Sequence, residues 1–398
     1  MVSKSYKEKI SKWVYLIKYP FKLWVYELID QWVIYSVRSK PQKKLLIYRL
    51  DLIGDYLMSR PFFDSLRKKE KWKDYSFGFA GNQQLQELAE RWDRNVFNQY
   101  LWIDRTRFIN SLVYRYQILK KIREAGFEIL LYPSHTRQYW LESVVKVSGA
   151  TKKYTGEAIG TYMSPFEKSL TDPFYTEHVN TGGGILFEFY RNRNFFSYFT
   201  EQAKSVHSLV KEARPAIESS KKILIALAPG ASTRNRQWPI PSFAGLIEEL
   251  NRSGKFEFTV IGGPSEKKLG EALQEILPDI PIKNQAGILS IPQSIDFISQ
   301  IHLLISNESS PVHMAATTGT PCICISQGNH FGRWNPYPVE VASWITTVYP
   351  PFFGNIQNRY PELAKQYHDG SLTDVSGISV EQVREAAMIL LRHQGYFK

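Results

Sequence analysis

Three polar loops, each following a short apolar run, hold the residues whose types and spacing can do chemistry. The first, Arg49-Leu50-Asp51-Leu52-Ile53-Gly54-Asp55, sets a carboxylate directly after a glycine. Gly54 permits a tight turn or close approach of a ligand. Asp55 opens a helix, where a carboxylate can cap the free amides or act as a general base. The second loop, PGASTRNRQWP over 229–239, offers the Gly230 amide, the Ser232 and Thr233 hydroxyls, Arg234 and Arg236. Arginine makes bidentate, charge-assisted bonds to phosphate oxygens, so this set suits a diphosphate. A solvated basic loop with Trp238 packed beneath it accounts for the same residues. The third loop, NESSPVH over 307–313, brings Glu308, Ser309, Ser310 and His313 to the start of a helix, with Pro311 in its first turn. A helix N-terminus beyond a strand favours phosphate. His313 can equally hydrogen-bond a neighbouring loop.

The elements that must position these loops read as two series of alternating strands and helices. In the first series the pattern predicts strands over 45–48, 77–80, 100–103 and 127–132, with helices after Asp55, over 85–91 and over 112–125. The fourth strand runs into His135 and Arg137. In the second series strands are predicted over 223–228, 256–261, 303–305 and 322–325, with helices over 242–252, 295–300 and 313–318. Gly262 ends the strand at 256–261, and Ser379 with Gln382 makes a capping box for a last helix reaching 392. Such alternation signals parallel sheets covered by helices on both faces. The hinge between the two series is expected near Ser219-Ser220.

At 398 residues the chain is long enough for two domains, each with its own core. Its two cysteines, Cys322 and Cys324, lie two apart on one predicted strand, which excludes a disulfide framework and suits a reducing compartment. No Cys/His cluster has metal-ligand spacing, and no Asp-x-Asp pair is present for a metal-bound diphosphate. The formal charge of +12 is uneven. Residues 1–44 carry nine Lys and one Arg against three acids, a net +7, which leaves only +5 on the remainder. The basic character thus belongs to an appendage, which argues against nucleic acid as a partner of the body.

That appendage, residues 1–43, is aromatic as well as basic. Trp13, Ile17, Phe21, Trp24, Leu28, Trp32 and Tyr35 recur at helical spacing among Lys9, Lys12, Lys18, Lys22 and Arg38, with a kink expected at Pro20. No uncharged run approaches the ~20 residues that span a bilayer. A basic, Trp-rich amphipathic helix can lie in an anionic membrane surface. It can also pack on the body or on a partner subunit.

The loops carry a family resemblance. RLDLIGDYLMSRPFFDSLRK resembles the N-terminal signature of the heptosyltransferases, glycosyltransferase family nine. LAPGASTRNRQWPIPSFAGLIEEL is similar to their second-domain loop, with a basic residue before Trp-Pro. ISNESSPVHMAATTGTPCICI resembles their Asp-Thr-Gly-x-x-His-x-Ala-Ala motif, and Gly332-Arg333-Trp334-Asn335-Pro336-Tyr337 is a looser match to the loop that follows. The motifs keep the family's order over about residues 44–395, leaving the aromatic appendage outside.

The resemblance implies an α/β, GT-B architecture of two Rossmann-like domains facing a cleft, over 44–218 and 219–398, with the last helix able to pack back on the first domain. It implies inverting transfer from a nucleotide sugar, commonly ADP-heptose, to a lipopolysaccharide core or related glycan, with no further cofactor. Asp55 maps on the family's base and Arg236 on its basic residue. Gly230, Ser232, Thr233, Gly262, Glu308, Ser309, Ser310 and His313 fall on the donor side, and Arg49, Gly54, His135 and Arg137 on the acceptor side. Glu308 stands where the family has Asp, and Ser310 where it has Gly, which implies a tighter donor pocket. The expectation is a metal-independent glycosyltransferase in the cytoplasm, peripheral on the inner face of the cytoplasmic membrane. The alternative from another class is a nucleotide-sugar or glycan-binding protein on the same scaffold, without turnover.

Overall fold

The computed structural model describes residues 21–157, 163–211, 214–215, 217, 222–368, 370 and 373–396. Trp13, Ile17, Lys9, Lys12, Lys18, Pro20 and the hinge at Ser219-Ser220 lie outside them. The chain divides into two compact units, one of Met1–Asp51 with Glu70–Asn180, the other of Leu52–Lys69 with Thr181–Lys398.

The first unit holds a parallel sheet of β1 (Gln42–Arg49), β2 (Ser76–Asn82), β3 (Gln99–Ile103), β4 (Phe127–Tyr132), β5 (Lys152–Gly156) and β6 (Glu177–Val179). Its order is β3-β2-β1-β4-β5-β6, so the direction of winding reverses between β1 and β4. Leu45, Leu46 and Ile47 of β1 are fully buried, as both-face coverage of a central parallel strand requires. β5 and β6 escape the sequence pattern because KKYTG and EHV are short and polar; β6 is the edge strand, and β5 lies beside it.

The appendage is helical over 21–36 and packs on this unit along one face. Tyr26, Asp30, Val33 and Val37 are buried, at helical spacing. Tyr26 donates its hydroxyl to the Ile109 carbonyl, and the Arg115 guanidinium lies 3.9 Å over the Tyr26 ring. Asp30 faces Arg115 at 3.7 Å, and burial lifts its carboxyl to about 6 despite that charge. Arg123 donates to the Ile34 carbonyl at 3.2 Å and also to Val37, tying down the last carbonyls of the helix. The opposite face remains exposed.

The second unit repeats the topology with β7 (Ile223–Ala228), β8 (Phe256–Val260), β9 (Ile282–Asn284), β10 (Leu303–Asn307), β11 (Cys322–Ile325) and β12 (Ile345–Val348). The order β12-β11-β10-β7-β8-β9 puts its reversal between β7 and β10. Leu303 pairs with Ile225 and Ile305 with Leu227 across that seam.

Three expectations need correction. The helix Ile53–Arg67, expected in the first domain, belongs to the second unit. Phe62 lies 5.0 Å from Phe189 and 5.8 Å from Phe196, and Phe63 lies 5.7 Å from Phe196, ring centre to ring centre. Burying each such ring is worth about 1.5–3 kcal/mol, enough to decide where the helix rests. The helix Glu188–Ser197, which carries Phe189 and Phe196, is likewise part of the second unit, so the boundary near 218 fails. The last helix, Val380–His393, buries Val383, Ala387, Leu390 and Leu391 in the second unit's own core, where the sequence reading allows it to pack back on the first domain.

Candidate active site

The helix Ser310–Thr318 starts directly beyond β10, next to the reversal of the second sheet, and Gly319 in the left-handed region ends it. It begins three residues before the expected start because Pro311 fits the first turn, where no amide partner is lost. Ser309 is its N-cap residue, with its hydroxyl donating to the Asn307 carbonyl at 3.2 Å. Asn307, fully buried, fixes the neighbouring loop at two points. Its Nδ2 donates to the Pro229 carbonyl at 2.7 Å, and its Oδ1 accepts from the Trp238 amide at 3.1 Å. Trp238 is buried below the loop with its indole N–H donating to the Ile378 carbonyl at 2.8 Å. Packing of Trp238 and a polar loop above it are therefore both realised.

Within that loop Arg236 reaches across to β10. Its Nη2 donates to the Glu308 carbonyl at 2.7 Å and stands 3.4 Å from Oε1 of Glu308, while Nη1 donates to the Ser232 hydroxyl at 3.2 Å. Thr233 donates to Asn235 at 2.7 Å, so it shapes the loop. Burial pushes the Glu308 carboxyl up, against the Arg236 guanidinium and the Ser326 hydroxyl, which hold it down. A glutamate reaches one methylene further than an aspartate, and here that length reaches Ser326 beyond β11. His313, one turn into the helix, pairs its Nδ1 with the Tyr337 hydroxyl at 2.5 Å. Burial, then the charge on Arg236, pushes its pKa down to about 4, so the ring is neutral near pH 7.

The other edge of His313 meets the first loop. A Cβ at Gly54 would lie 2.6 Å from His313 Cδ2, so only glycine lets the start of Ile53–Arg67 approach the donor-side helix this closely. Asp55 follows in the same first turn and accepts from the Leu52 amide at 3.2 Å. Its capping role is thus real. Gly230 and Gly262 have a different neighbour. A Cβ on either would strike the carboxylate of Glu266, which accepts from the Gly263 amide. The structure therefore gathers Gly54, Asp55, Ser232, Arg236, Glu308, Ser309, Ser310 and His313 in one unit, with Gly230, Gly262 and Glu266 at the ends of β7 and β8.

The remaining candidates lie in the first unit. Arg49 is buried at the end of β1, with Nε and Nη2 each 3.1 Å from Asp51 Oδ2. Ser134 donates to Oδ1 of the same Asp51 at 3.4 Å. His135 meets the Glu157 carbonyl through Nδ1 at 2.5 Å. Arg137 is fully buried and its guanidinium is shared by Glu142 at 3.0 Å, Asp172 at 2.8 Å and Thr171 at 3.0 Å. Those bonds give Arg137 a place in the scaffold of the unit. Gly54 is separated from the other three by lying in the second unit.

Sequence reasoning passed over Asp51, Asn307, Glu266, Ser326 and Tyr337. Asn307 had a signal, a polar residue closing an apolar strand, and so had Glu266, an acid three residues past a strand-ending glycine pair. Among the described residues, no group of three or more His, Cys, Asp or Glu is placed to hold a metal ion.

A model of glycosyltransferase family 9 (heptosyltransferase) matches residues 145–349. Over 357 residues the chain is 21% identical to lipooligosaccharide heptosyltransferase 2 of Haemophilus ducreyi, covering 85% of this chain and 97% of that protein. A family 9 glycosyltransferase structure from Veillonella parvula superposes with a TM-score of 0.66 at 18% identity, covering 90% of this chain and 99% of that one. The E. coli ADP-heptose LPS heptosyltransferase II does so at 0.60 and 14%, covering 88% and 99%. These likenesses establish the α/β fold with two Rossmann-like units, the GT-B architecture.

Proposed function

The chain belongs to glycosyltransferase family 9, and from that premise we propose that it moves a heptose, or another sugar, from a nucleotide-sugar donor to a lipopolysaccharide core or related cell-envelope glycan. Family membership decides for an enzyme over the binding-only reading. ADP-heptose is the first donor to test, since it is named for the E. coli relative.

One observation carries the reading. The start of the Asp55 helix and the start of the Ser310–Thr318 helix are in contact through Gly54 and His313, with Arg236 beside the latter. A diphosphate at the second helix start meets the positive end of the helix dipole and a guanidinium, which stabilise the charge that develops on the leaving group. Glu266, at the end of β8, is the acidic residue that a Rossmann-like unit uses for ribose hydroxyls. Asp55 takes the proton from the acceptor hydroxyl as that oxygen attacks the anomeric carbon, and attack opposite the leaving group inverts the configuration. In this reading the transfer is metal-independent, and the protein works in the cytoplasm on the inner face of the cytoplasmic membrane.

The test is acceptor-dependent release of nucleoside diphosphate from a panel of nucleotide sugars, with and without a chelator. Release of ADP from ADP-heptose on adding core acceptor, unaffected by chelator, is expected. No release from any donor sinks the reading, and chelator sensitivity removes its metal-independent part.

A further inference from the structure

We infer that the outer face of the N-terminal helix is a docking surface for an anionic lipid bilayer. Over 21–36 the inner face is spent on the first unit through Tyr26, Asp30 and Val33. The outer face presents Phe21, Trp24, Leu28, Trp32 and Tyr35, from 49% to 87% exposed. Their spacing of three and four residues makes one stripe along the helix. On the body, two further apolar side chains are exposed close in sequence to a contact of the helix. The Tyr26 hydroxyl meets Ile109, and Leu112 and Val113 just after it are 46% and 69% exposed.

Charge selects the occupant. Both acids of the helix are matched within the unit, Glu27 by Lys146 and Asp30 by Arg115. Arg38 and Lys40 stand exposed just beyond one end of the stripe, within a segment of net charge +7 over residues 1–44. A protein partner's apolar patch would match the rings but gain little from this charge, since interface cores are depleted in lysine. Tryptophan and tyrosine settle at the boundary between headgroups and acyl chains, and lysine and arginine are drawn to anionic headgroups. Among the described residues no helix is long and apolar enough to cross a membrane, so the contact is one that lies in the surface. The inference stands whichever sugar is transferred.

The experiment is co-sedimentation of the full chain with phosphatidylglycerol-containing vesicles and with phosphatidylcholine vesicles. Binding to the anionic vesicles alone is expected, falling about tenfold in Trp24→Ser/Trp32→Ser with an unchanged melting curve. An Arg38→Glu/Lys40→Glu variant, which keeps the rings, should lose anionic binding in the same way and covers the case of a Trp variant that melts early. Parental binding in both variants overturns the inference, and so does a parent that ignores anionic vesicles. A dimer that the Trp substitutions dissolve, with vesicle binding intact, overturns it in favour of a contact between copies.

Discussion

Gly54 lies against the Cδ2 edge of the His313 imidazole, leaving room for no side chain: a Cβ there would stand 2.6 Å from Cδ2 and 3.0 Å from Nε2. The glycine serves closeness between two helix starts, and its backbone is not in the left-handed region. Gly54→Ala should therefore lose about 1–3 kcal/mol through overpacking, although alanine is the better helix former. Removing the ring should relieve the clash, so Gly54→Ala/His313→Ala loses less than the sum of its parts. Urea unfolding of the four proteins measures this, and strict additivity would refute the contact.

Asp55→Asn keeps an oxygen to accept the Leu52 amide, so the cap survives while the base is lost. The variant should fold, bind nucleotide sugar and transfer it ~10²–10⁴ times more slowly. Turnover near the parental rate returns Asp55 to capping alone.

Arg236→Ala removes a proposed diphosphate partner and the cation facing the buried Glu308. Donor affinity should fall and the protein should lose some stability, because Glu308 is left without its counter-charge. Ser309→Ala should weaken the donor less, since it removes one hydroxyl and leaves the helix dipole and Arg236 in place. Isothermal titration with the best donor separates the two, and parental affinity in both variants would displace the site.

His313 supplies a pH signature. Its pKa is lowered from 6.5 to about 4 in the folded chain, so the unfolded chain binds the proton first as pH falls. The stability it contributes is fully present above 6.5 and is lost as pH drops towards 4, by about 3 kcal/mol at most. The slope of stability against pH across that window should be shallower in His313→Gln. Equal slopes would assign the acid sensitivity to other groups.

The two parallel sheets were legible because their central strands are apolar runs closed by polar loops, as in Leu45–Tyr48 and Leu303–Asn307. Edge strands such as Glu177–Val179 and Ile282–Asn284 were not, being three residues long with too little periodicity to register. On the donor side, Arg236 and Ser309 were legible as residue types at a helix start. Their partners were not. That Arg236 spends part of its charge on Glu308 depends on a contact 72 residues away in sequence. Arg137 shows the opposite case, a cation beyond a strand end that reads as a ligand group and is instead enclosed by Glu142, Thr171 and Asp172. The aromatic appendage had two readings, membrane-surface contact and packing on the body or a partner subunit. Packing on the body holds for the face with Tyr26 and Val33, and the face with Trp24 and Trp32 stays exposed.

The placement of Leu52–Lys69 in the second unit has a consequence for inheritance. The second unit is not one stretch of gene. A single crossover near Thr181 between two family members would set Phe189 and Phe196 from one parent against a helix carrying positions 62 and 63 from the other. It would also separate Asp55 and Gly54 from the His313 they were selected beside. Chimeras that exchange 52–69 together with 181–398 should fold and keep the donor preference of their source, whereas single-crossover chimeras inherit a mismatched aromatic seam. In the proposed assignment, donor chemistry is encoded in two pieces that must travel together.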